Sequence, residues 1–268
     1  MLLALIGPTA SGKTEAGVAL AEALGAQILC ADSMLVYRGM DIGTAKPSPE
    51  DRARVPHHLL DLVEPGERST VSRFQEAAGE VLRSVDRPLI VGGSGLYYRA
   101  LVDDLELPPE DGSVRAELER EAAAAGSSRL YRRLEGFDPA AAAKIGPANL
   151  RRIVRALEVP AVSGRAFSAF AGSWDRFDRA RVRAAGVRIS RAALADRINV
   201  RVDRMLATGW LAEVRALVER GFATWLTSTR AIGYAELAAH LDGRLTLDEA
   251  VEETVRRTRE LARRQMAW

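Results

Sequence analysis

The sequence predicts an α/β fold in which a parallel sheet is flanked by helices and carries an inserted all-helical subdomain. Three observations indicate this. The apolar run of residues 2–6 leads directly into a glycine-bearing turn and a helix-forming segment over residues 15–24, the strand–turn–helix order of α/β proteins. A second strand–glycine–helix unit follows at residues 88–101. From residue 113 to about residue 170, strand patterns are absent and helical patterns follow one another.

These patterns divide the 268 residues into a core and an insertion, and this length suits one large domain with an inserted subdomain. We expect residues 1–111 and 181–268 to form the core, and residues 112–180 to form the helical insertion. The predicted strands are 2–6, 27–31, 88–91 and 181–189. The predicted helices are 15–24, 69–85, 96–101, 114–125, 128–134, 139–145, 150–159, 191–206, 210–220 and 247–268.

Composition argues against a membrane protein and against a disulfide-stabilised one. No apolar run approaches the ~20 residues of a membrane span. The run at residues 2–6 is too short for a signal peptide and has no basic leader, so we read it as the first strand. Cys30 is the only cysteine, which excludes an internal disulfide and a cysteine-based zinc site and fits a reducing cytoplasm. Its position on a predicted strand favours a core residue over a nucleophile.

The charge is nearly balanced overall but unevenly distributed. The net charge is +2, whereas residues 112–200 alone hold 17 Lys+Arg and 9 Asp+Glu. A segment this rich in arginine is a candidate surface for nucleic acid. The alternative is an arginine-rich solvated surface, and charge alone does not decide between them.

The first turn of the chain has the spacing G-x-x-x-x-G-K-[ST] of a phosphate-binding P-loop. It consists of Gly7, Pro8, Thr9, Ala10, Ser11, Gly12, Lys13 and Thr14. After a strand and before a helix, such a loop turns successive backbone N–H groups inward as an anion-binding nest. Lys13 is expected to hold phosphate oxygens and the Thr14 hydroxyl to ligate Mg²⁺. The alternative, a plain glycine turn, does not explain every fixed position. The sequence therefore predicts a P-loop NTPase-like sheet that binds a di- or triphosphate.

Two further residues are expected at the same crevice. Asp32 ends the second predicted strand, which we expect beside the P-loop strand, and an acidic residue there faces the crevice at the carboxyl ends of an open parallel sheet. Ser94 follows the glycines after the strand at 88–91. On the predicted helix 191–206, Arg197 and Arg201 lie four residues apart and share one face. His57 and His58 lack the spacing partners of a metal site, so a structural role is favoured.

The sequence resembles the tRNA dimethylallyltransferase (tRNA isopentenyltransferase) family over essentially its whole length. Besides the P-loop and Asp32-Ser33 followed by Tyr37, the matching stretches are residues 39–47, 56–61, 92–97, 152–158, 231–234 and 258–268. The P-loop alone is shared by many families. The run of residues 43–47 together with its partners is specific to this one.

The resemblance implies a reaction. In that family, a dimethylallyl group passes from dimethylallyl diphosphate to N6 of the adenosine just 3′ of the anticodon, in tRNAs that read codons beginning with U. The match implies Asp32 as general base, Lys13 and Thr9 at the diphosphate, and Mg²⁺ on Thr14 as the metal. Ser94 stands where the family usually carries Thr, and its retained hydroxyl implies a diphosphate or transition-state contact. Arg197 or Arg201 is expected to close over the leaving group, and the sequence leaves open which.

The same resemblance implies contacts to tRNA. The expected contact residues are Asp32, Ser33, Met34, Leu35, Ser94, Arg115, Arg151, Arg152, Ile153, Val154, Arg155, Arg230, Ala231, Ile232, Gly233, Tyr234 and Ala235. For the arginines of 151–155, a solvated helix face is the alternative. The target adenine would have to leave the anticodon loop to reach the crevice.

Two other classes of protein share parts of this pattern. A P-loop kinase for a nucleoside or small metabolite would also begin with a strand, P-loop and helix, but it does not explain residues 39–47 or the large basic insertion. A nucleotide-switched RNA-binding protein has no need of a general base such as Asp32. A tRNA-sized ligand requires no more than a monomer. The sequence does not decide which tRNAs are modified, whether the donor is hydroxylated, or whether the natural chain continues past Trp268.

Overall fold

A five-stranded parallel sheet forms the centre of the computed structural model, which describes residues 1–103, 105–173 and 181–268. The strands are Leu2–Ile6 (β1), Gln27–Ala31 (β2), His57–His58 (β3), Pro88–Gly92 (β4) and Val182–Gly186 (β5). Their order across the sheet is β3-β2-β4-β1-β5, and every neighbouring pair is parallel. The predicted α/β class with a parallel sheet is therefore confirmed.

The position of β2 differs from the sequence expectation. β2 does not lie beside the P-loop strand β1, because β4 pairs with both and separates them. The strands approach closely here since β4 ends in a glycine: a Cβ on Gly92 would lie 2.3 Å from the carbonyl oxygen of Ala31. The glycine turn after β4, rather than Asp32, is consequently the immediate neighbour of the P-loop.

Twelve α-helices are described in these ranges. They are Lys13–Leu24 (α1), Pro49–Arg54 (α2), Val71–Ser84 (α3), Gly95–Val102 (α4), Gly112–Ala125 (α5), Ser127–Phe137 (α6), Pro139–Ile145 (α7), Leu150–Ser163 (α8), Arg191–Ala207 (α9), Trp210–Glu219 (α10), Tyr234–Leu241 (α11) and Leu247–Ala267 (α12). Three short 3₁₀ helices cover Phe167–Ser173, Phe222–Thr224 and Ser228–Arg230. The sequence reading missed α2, α11 and the two-residue strand β3.

The chain folds into two compact units. One comprises Met1–Val102 and Asp178–Trp268, and the other comprises Asp103–Phe177. The helical unit begins earlier than the expected residue 112, because the segment before α5 is tied to α8: Arg155 donates to the carbonyls of Pro108 and Pro109. The expected end of the insertion at residue 180 lies outside the described residues.

Each unit has its own apolar core. One side of the sheet packs on α1 through a cluster that includes Val18, Ile28 and Leu89. The larger cluster includes Leu29 and Ile90 and extends through α3, α4, α10 and α11. In the helical unit, apolar positions on α5, α6, α7 and α8 converge. Within the described ranges, no helix combines the length and apolar character needed to cross a membrane.

Candidate active site

The P-loop joins β1 to α1 in a conformation that suits an anion. Ala10 and Gly12 have φ angles of 60° and 87°, so left-handed residues alternate with others along the loop, the arrangement that points successive N–H groups into one concavity. A left-handed conformation is costly for alanine, of order 1–3 kcal/mol, and such strain concentrates at functional sites. The conformation of the loop therefore indicates an anion-binding site at the start of α1.

Four side-chain contacts hold the loop in this shape. Lys13 Nζ donates to the Pro8 carbonyl at 2.6 Å. Arg197 Nη1 donates to the Ser11 carbonyl at 3.2 Å, and Arg201 Nη1 donates to Thr9 Oγ1 at 3.4 Å. Gln265 Oε1 accepts from the Thr9 backbone N–H at 2.7 Å. The P-loop is thus fixed by α9 and α12, through contacts between residues that lie at least 186 positions apart in the chain.

The arginines reach the loop because of how α9 is built. Ser190 caps the helix by accepting from the Ala193 N–H, and Leu194, Ile198, Val202 and Met205 are buried, the period of one apolar helical face. Arg197 and Arg201 occupy a different face, as the sequence predicted from their spacing. The structure brings both of them to the P-loop, Arg197 to a backbone carbonyl and Arg201 to the Thr9 hydroxyl.

Asp32 lies at the carboxyl end of β2 and faces a polar cavity of about 90 Å³. Its Oδ1 accepts from the Met34 N–H at 2.8 Å. Burial raises the pKa of this carboxyl, and the Met34 hydrogen bond and the charges of Lys13 and Arg201 oppose that rise. A carboxyl whose pKa is raised holds a proton more tightly than an ordinary aspartate does, which suits a group that accepts a proton during a reaction.

Lys13 and Arg201 border the same 90 Å³ cavity together with Thr9 and Thr14. Burial lowers the pKa of Lys13 to about 8, with Asp32 opposing and Arg201 reinforcing the shift. Burial also lowers the pKa of Arg201. Two partly buried cations beside one carboxylate leave an excess of positive charge, which an anionic ligand would neutralise.

Asp32 and Arg201 also border a second, larger cavity of about 450 Å³. The segment 230–232 and helix α12 form much of its wall. Because Asp32 lies on both cavities, a group entering the larger one can meet the carboxylate that faces the P-loop. This arrangement suits a reaction between two substrates that approach from different sides.

Ser94 follows β4, at the same edge of the sheet as the P-loop and Asp32. It borders a third cavity, of about 510 Å³, together with Gly7, Pro8 and Trp268. Ser94 does not line the Asp32 cavities, although the preceding Gly92 and Gly93 line both the third cavity and the 90 Å³ one. The structure therefore places Ser94 between the P-loop and the end of β2: it borders the cavity of Gly7 and Pro8, and its N–H donates to the carbonyl of Ala31, the residue before Asp32, at 3.4 Å.

The comparisons with known proteins agree with this geometry. A family model described as IPP transferase matches residues 35–268, and one described as Isopentenyl transferase matches residues 1–61. The chain belongs to the IPP transferase family. Its relatives include a tRNA dimethylallyltransferase of Streptomyces coelicolor, 47% identical over 100% of this chain and 86% of the relative. Another, of Kineococcus radiotolerans, is 48% identical over 100% of this chain and 87% of the relative.

Solved structures are similar as well. A full-length tRNA isopentenylpyrophosphate transferase of Bacillus halodurans is 39% identical, with a TM-score of 0.69 over 100% of this chain and 86% of that chain. A eukaryotic dimethylallyltransferase acting on tRNA has a TM-score of 0.85 over 100% of this chain and 69% of that chain. Its identity of 24% makes that last likeness one of fold alone.

The expected RNA-contact residues of the first unit separate into two groups. Ser33, Met34, Arg230, Ala231 and Ile232 border the 450 Å³ cavity, and Leu35 borders the smaller one. Gly233, Tyr234 and Ala235 border neither. Tyr234 is fully buried and donates from its hydroxyl to Glu213 Oε1 at 2.6 Å. The structure thus gives Tyr234 a supporting place behind the cavity wall.

The expected RNA-contact residues of the helical unit also fall into an accessible group and a buried group. Arg151 and Arg152 are exposed at the start of α8. Ile153 and Val154 are buried in the core of the unit. They have this place because α8 needs an apolar face to pack on α5 and α6. Their side chains are therefore not available to a ligand in this structure.

Arg115 and Arg155 are held by a buried carboxylate. Glu158 accepts from Arg115 Nη2 at 2.7 Å and lies 3.1 Å from Arg155 Nη1. A buried carboxylate needs such partners, because an unpaired charge away from water is strongly destabilising. These two arginines therefore stabilise the helical unit, whichever ligand it binds.

Sequence reasoning missed two residues of the site. Glu213 accepts from the N–H groups of Asp41 and Ile42, each at 2.8 Å, and Gln265 holds Thr9. Neither residue has a local sequence signal, because a single Glu or Gln on an amphipathic helix is most simply predicted to be a solvated surface residue. Only the fold reveals their partners.

Proposed function

We propose that this protein transfers a dimethylallyl group from dimethylallyl diphosphate to N6 of the adenosine 3′-adjacent to the anticodon, in tRNAs reading codons that begin with U. The observation that carries the proposal is the convergence of Lys13, Arg201 and Asp32 on one cavity at the P-loop. Two cations and a nest of N–H groups suit the diphosphate, and a carboxylate of raised pKa suits the base. Family membership, and the names of relatives such as the Streptomyces coelicolor enzyme, point to the same reaction.

The leaving group is the first requirement of this reaction. The N6 nitrogen forms a bond to C1 of the dimethylallyl group while the bond from C1 to the diphosphate oxygen breaks, and the electron pair leaves with the diphosphate. Negative charge grows on that oxygen in the transition state, so fixed donors lower the barrier. The P-loop N–H groups, Lys13 and Arg201 are such donors, with Arg197 holding the loop itself at the Ser11 carbonyl. We assign Arg201, rather than Arg197, to the direct contact because it borders the cavity.

The nucleophile is the second requirement. An exocyclic adenine amine is a weak nucleophile, and its attack releases one proton. Asp32 is positioned to orient the N–H and to accept this proton, since the carboxylate borders both cavities. We place the adenine in the 450 Å³ cavity and the diphosphate at the P-loop. The Ser94 hydroxyl is assigned to the diphosphate side, because Ser94 borders one cavity with the P-loop residues Gly7 and Pro8.

The donor set near the P-loop fits Mg²⁺. The Thr14 hydroxyl and the Asp32 carboxylate border one cavity, and magnesium favours oxygen ligands, only one or two of them from protein, completed by phosphates and water. No cluster of three or more metal-ligating side chains occurs in the described parts of the chain, in keeping with an ion held mainly by its substrate. When bound, Mg²⁺ neutralises diphosphate charge, and we assign Thr14 as its protein ligand.

The proposed RNA partner requires an extruded base and a grip on the surrounding loop. An adenine stacked in an anticodon loop has to flip out to reach Asp32, and recognition then rests on splayed loop bases and backbone shape. Arg230 and the segment 33–34 border the proposed adenine cavity. We assign the exposed Arg151 and Arg152 of the helical unit to the RNA backbone. We further propose a monomer that acts in the cytoplasm, where unmodified tRNA and a reduced Cys30 are found together.

One assay tests the function. Purified protein, Mg²⁺ and unmodified tRNA are incubated with labelled dimethylallyl diphosphate, and in parallel with γ-labelled ATP. Label in the tRNA from the first donor, located at N6 of the adenosine next to the anticodon by nucleoside mass spectrometry, supports the transferase. Transfer of the γ-phosphate to a nucleoside without prenylation would establish the P-loop kinase instead. Binding of tRNA with neither transfer would favour an RNA-binding protein.

A further inference from the structure

The side chain of Gln265, in the last turn of α12, reaches the centre of the site. Its Oε1 accepts from the Thr9 backbone N–H at 2.7 Å. Its amide also lies against the glycine turn after β4: a Cβ on Gly93 would be 2.7 Å from Gln265 Nε2. Gln265 therefore lies between the P-loop and the turn that carries Ser94.

Gln265 also borders all three cavities of the site. It lines the 90 Å³ cavity of Lys13, the 450 Å³ cavity of Arg230 and the 510 Å³ cavity of Ser94. A residue at the junction of three cavities separates their contents, so a change in its volume or hydrogen bonding alters all of them. Yet the roles assigned above to the P-loop, Asp32 and the arginines do not use it.

Thr9 is held from two directions as a result. Gln265 fixes its backbone N–H from α12, and Arg201 donates to its hydroxyl from α9 at 3.4 Å. The two helices pack against each other through Leu194, Ile198 and Ala262, so the two contacts come from one packed pair of helices. The Thr9 N–H is therefore not available to hydrogen-bond an anion. The Thr9 hydroxyl, in contrast, remains at the cavity beside Arg201.

We infer that Gln265 is a positioning residue for the transfer reaction: by accepting from the Thr9 N–H it fixes the P-loop so that the Thr9 hydroxyl and Arg201 face the diphosphate together. This inference rests on the proposed function for its kinetic part. The neutral amide suits the place, because it supplies an acceptor oxygen without putting a negative charge next to a diphosphate. A misplacement of about 1 Å in such a contact costs as much as 100-fold in rate.

Two substitutions of nearly equal side-chain volume distinguish the role of Gln265 as a hydrogen-bond acceptor from its role in packing. Gln265→Met keeps the volume but removes the acceptor, and Gln265→Glu keeps an acceptor but adds a charge. We expect Gln265→Met to lower kcat about 10- to 100-fold with a smaller change in KM for the donor. Gln265→Glu should keep kcat within about threefold of the wild type and instead raise KM for dimethylallyl diphosphate. The matched control is Glu252→Met, which puts the same side chain on an exposed position of α12.

Hydrogen exchange tests the contact independently of any activity. In protein labelled with ¹⁵N-threonine, the Thr9 amide should exchange slowly in the wild type, in Gln265→Glu and in Glu252→Met, and faster in Gln265→Met. Equal exchange in all four would overturn the hydrogen bond, and full kcat in Gln265→Met would overturn the positioning role. If the wild type shows the protected Thr9 amide but transfers no dimethylallyl group, the contact stands and the proposed function fails.

Discussion

The Tyr234 hydroxyl donates a 2.6 Å hydrogen bond to Glu213, and the same carboxylate accepts from the N–H groups of Asp41 and Ile42. The loop at 39–47 is thereby tied to α10 and α11. It fits there because residue 43 is glycine: a Cβ on Gly43 would lie 2.0 Å from Trp210 Nε1. Two residues of this loop, Gly43 and Thr44, line the 450 Å³ cavity, so these contacts hold part of the wall of the site in place.

This arrangement predicts a large stability effect for Glu213. Glu213→Ala removes the acceptor of several N–H groups and of the Tyr234 hydroxyl, so we expect a loss of about 3 kcal/mol in the free energy of unfolding. Tyr234→Phe removes one bond and should cost about 1–2 kcal/mol. Urea unfolding with comparison of m values measures both. An equal cost for the two variants would mean that the bonds to the loop contribute nothing.

Much of the fold could be predicted from the sequence, because strands, glycine turns and amphipathic helices are local patterns. The helices α5 to α8, for example, were found within a few residues at each end. The order of the strands in the sheet could not be predicted in this way, because it depends on contacts between distant parts of the chain. β2 was expected beside β1, whereas β4 lies between them. The contact between Thr9 and Gln265 joins residues at opposite ends of the chain. A single glutamine has no sequence pattern from which such a contact could be predicted.

Asp32→Asn tests the assignment of the general base. The amide keeps the size and can still accept from the Met34 N–H, but it cannot take up a proton. We expect kcat to fall by about 10²- to 10⁴-fold, while the affinity for inorganic diphosphate with Mg²⁺ stays close to that of the wild type. Single-turnover prenylation and calorimetry measure the two quantities. A loss confined to diphosphate affinity would assign Asp32 to binding instead of proton transfer.

The pH dependence follows from Asp32 and Lys13. Asp32 must be ionised to act as base and its pKa is raised, so activity should rise with pH through a value above that of an ordinary aspartate. Lys13 must be protonated to hold the diphosphate and burial lowers its pKa to about 8, so kcat/KM for the donor should fall as pH rises through about 8. In the complex, the bound diphosphate favours the ammonium form. The alkaline limb of kcat should therefore lie at higher pH than that of kcat/KM. Coincident alkaline limbs would argue against Lys13 as their source.

Arg151 and Arg152 are predicted to bind the RNA backbone. Arg155, on the same helix, serves as their control. Arg151 and Arg152 are exposed, so replacing both with alanine should weaken tRNA binding without unfolding the helical unit. Each lost phosphate contact should also lower the slope of log affinity against log salt by roughly 0.7–0.9. Filter binding at several salt concentrations measures both effects.

Arg155→Ala distinguishes a contact to RNA from a contribution to stability. Arg155 donates to the Pro108 and Pro109 carbonyls and pairs with the buried Glu158, so its loss should lower the free energy of unfolding by about 2–4 kcal/mol. Its salt slope should remain that of the wild type, because the guanidinium is already occupied inside the unit. If Arg155→Ala lowered the slope as much as the loss of Arg151 or Arg152 does, then Arg155 would leave Glu158 to bind phosphate. If the Arg151/Arg152 variant kept the wild-type slope, those two arginines would be a solvated helix face and the RNA would be gripped elsewhere.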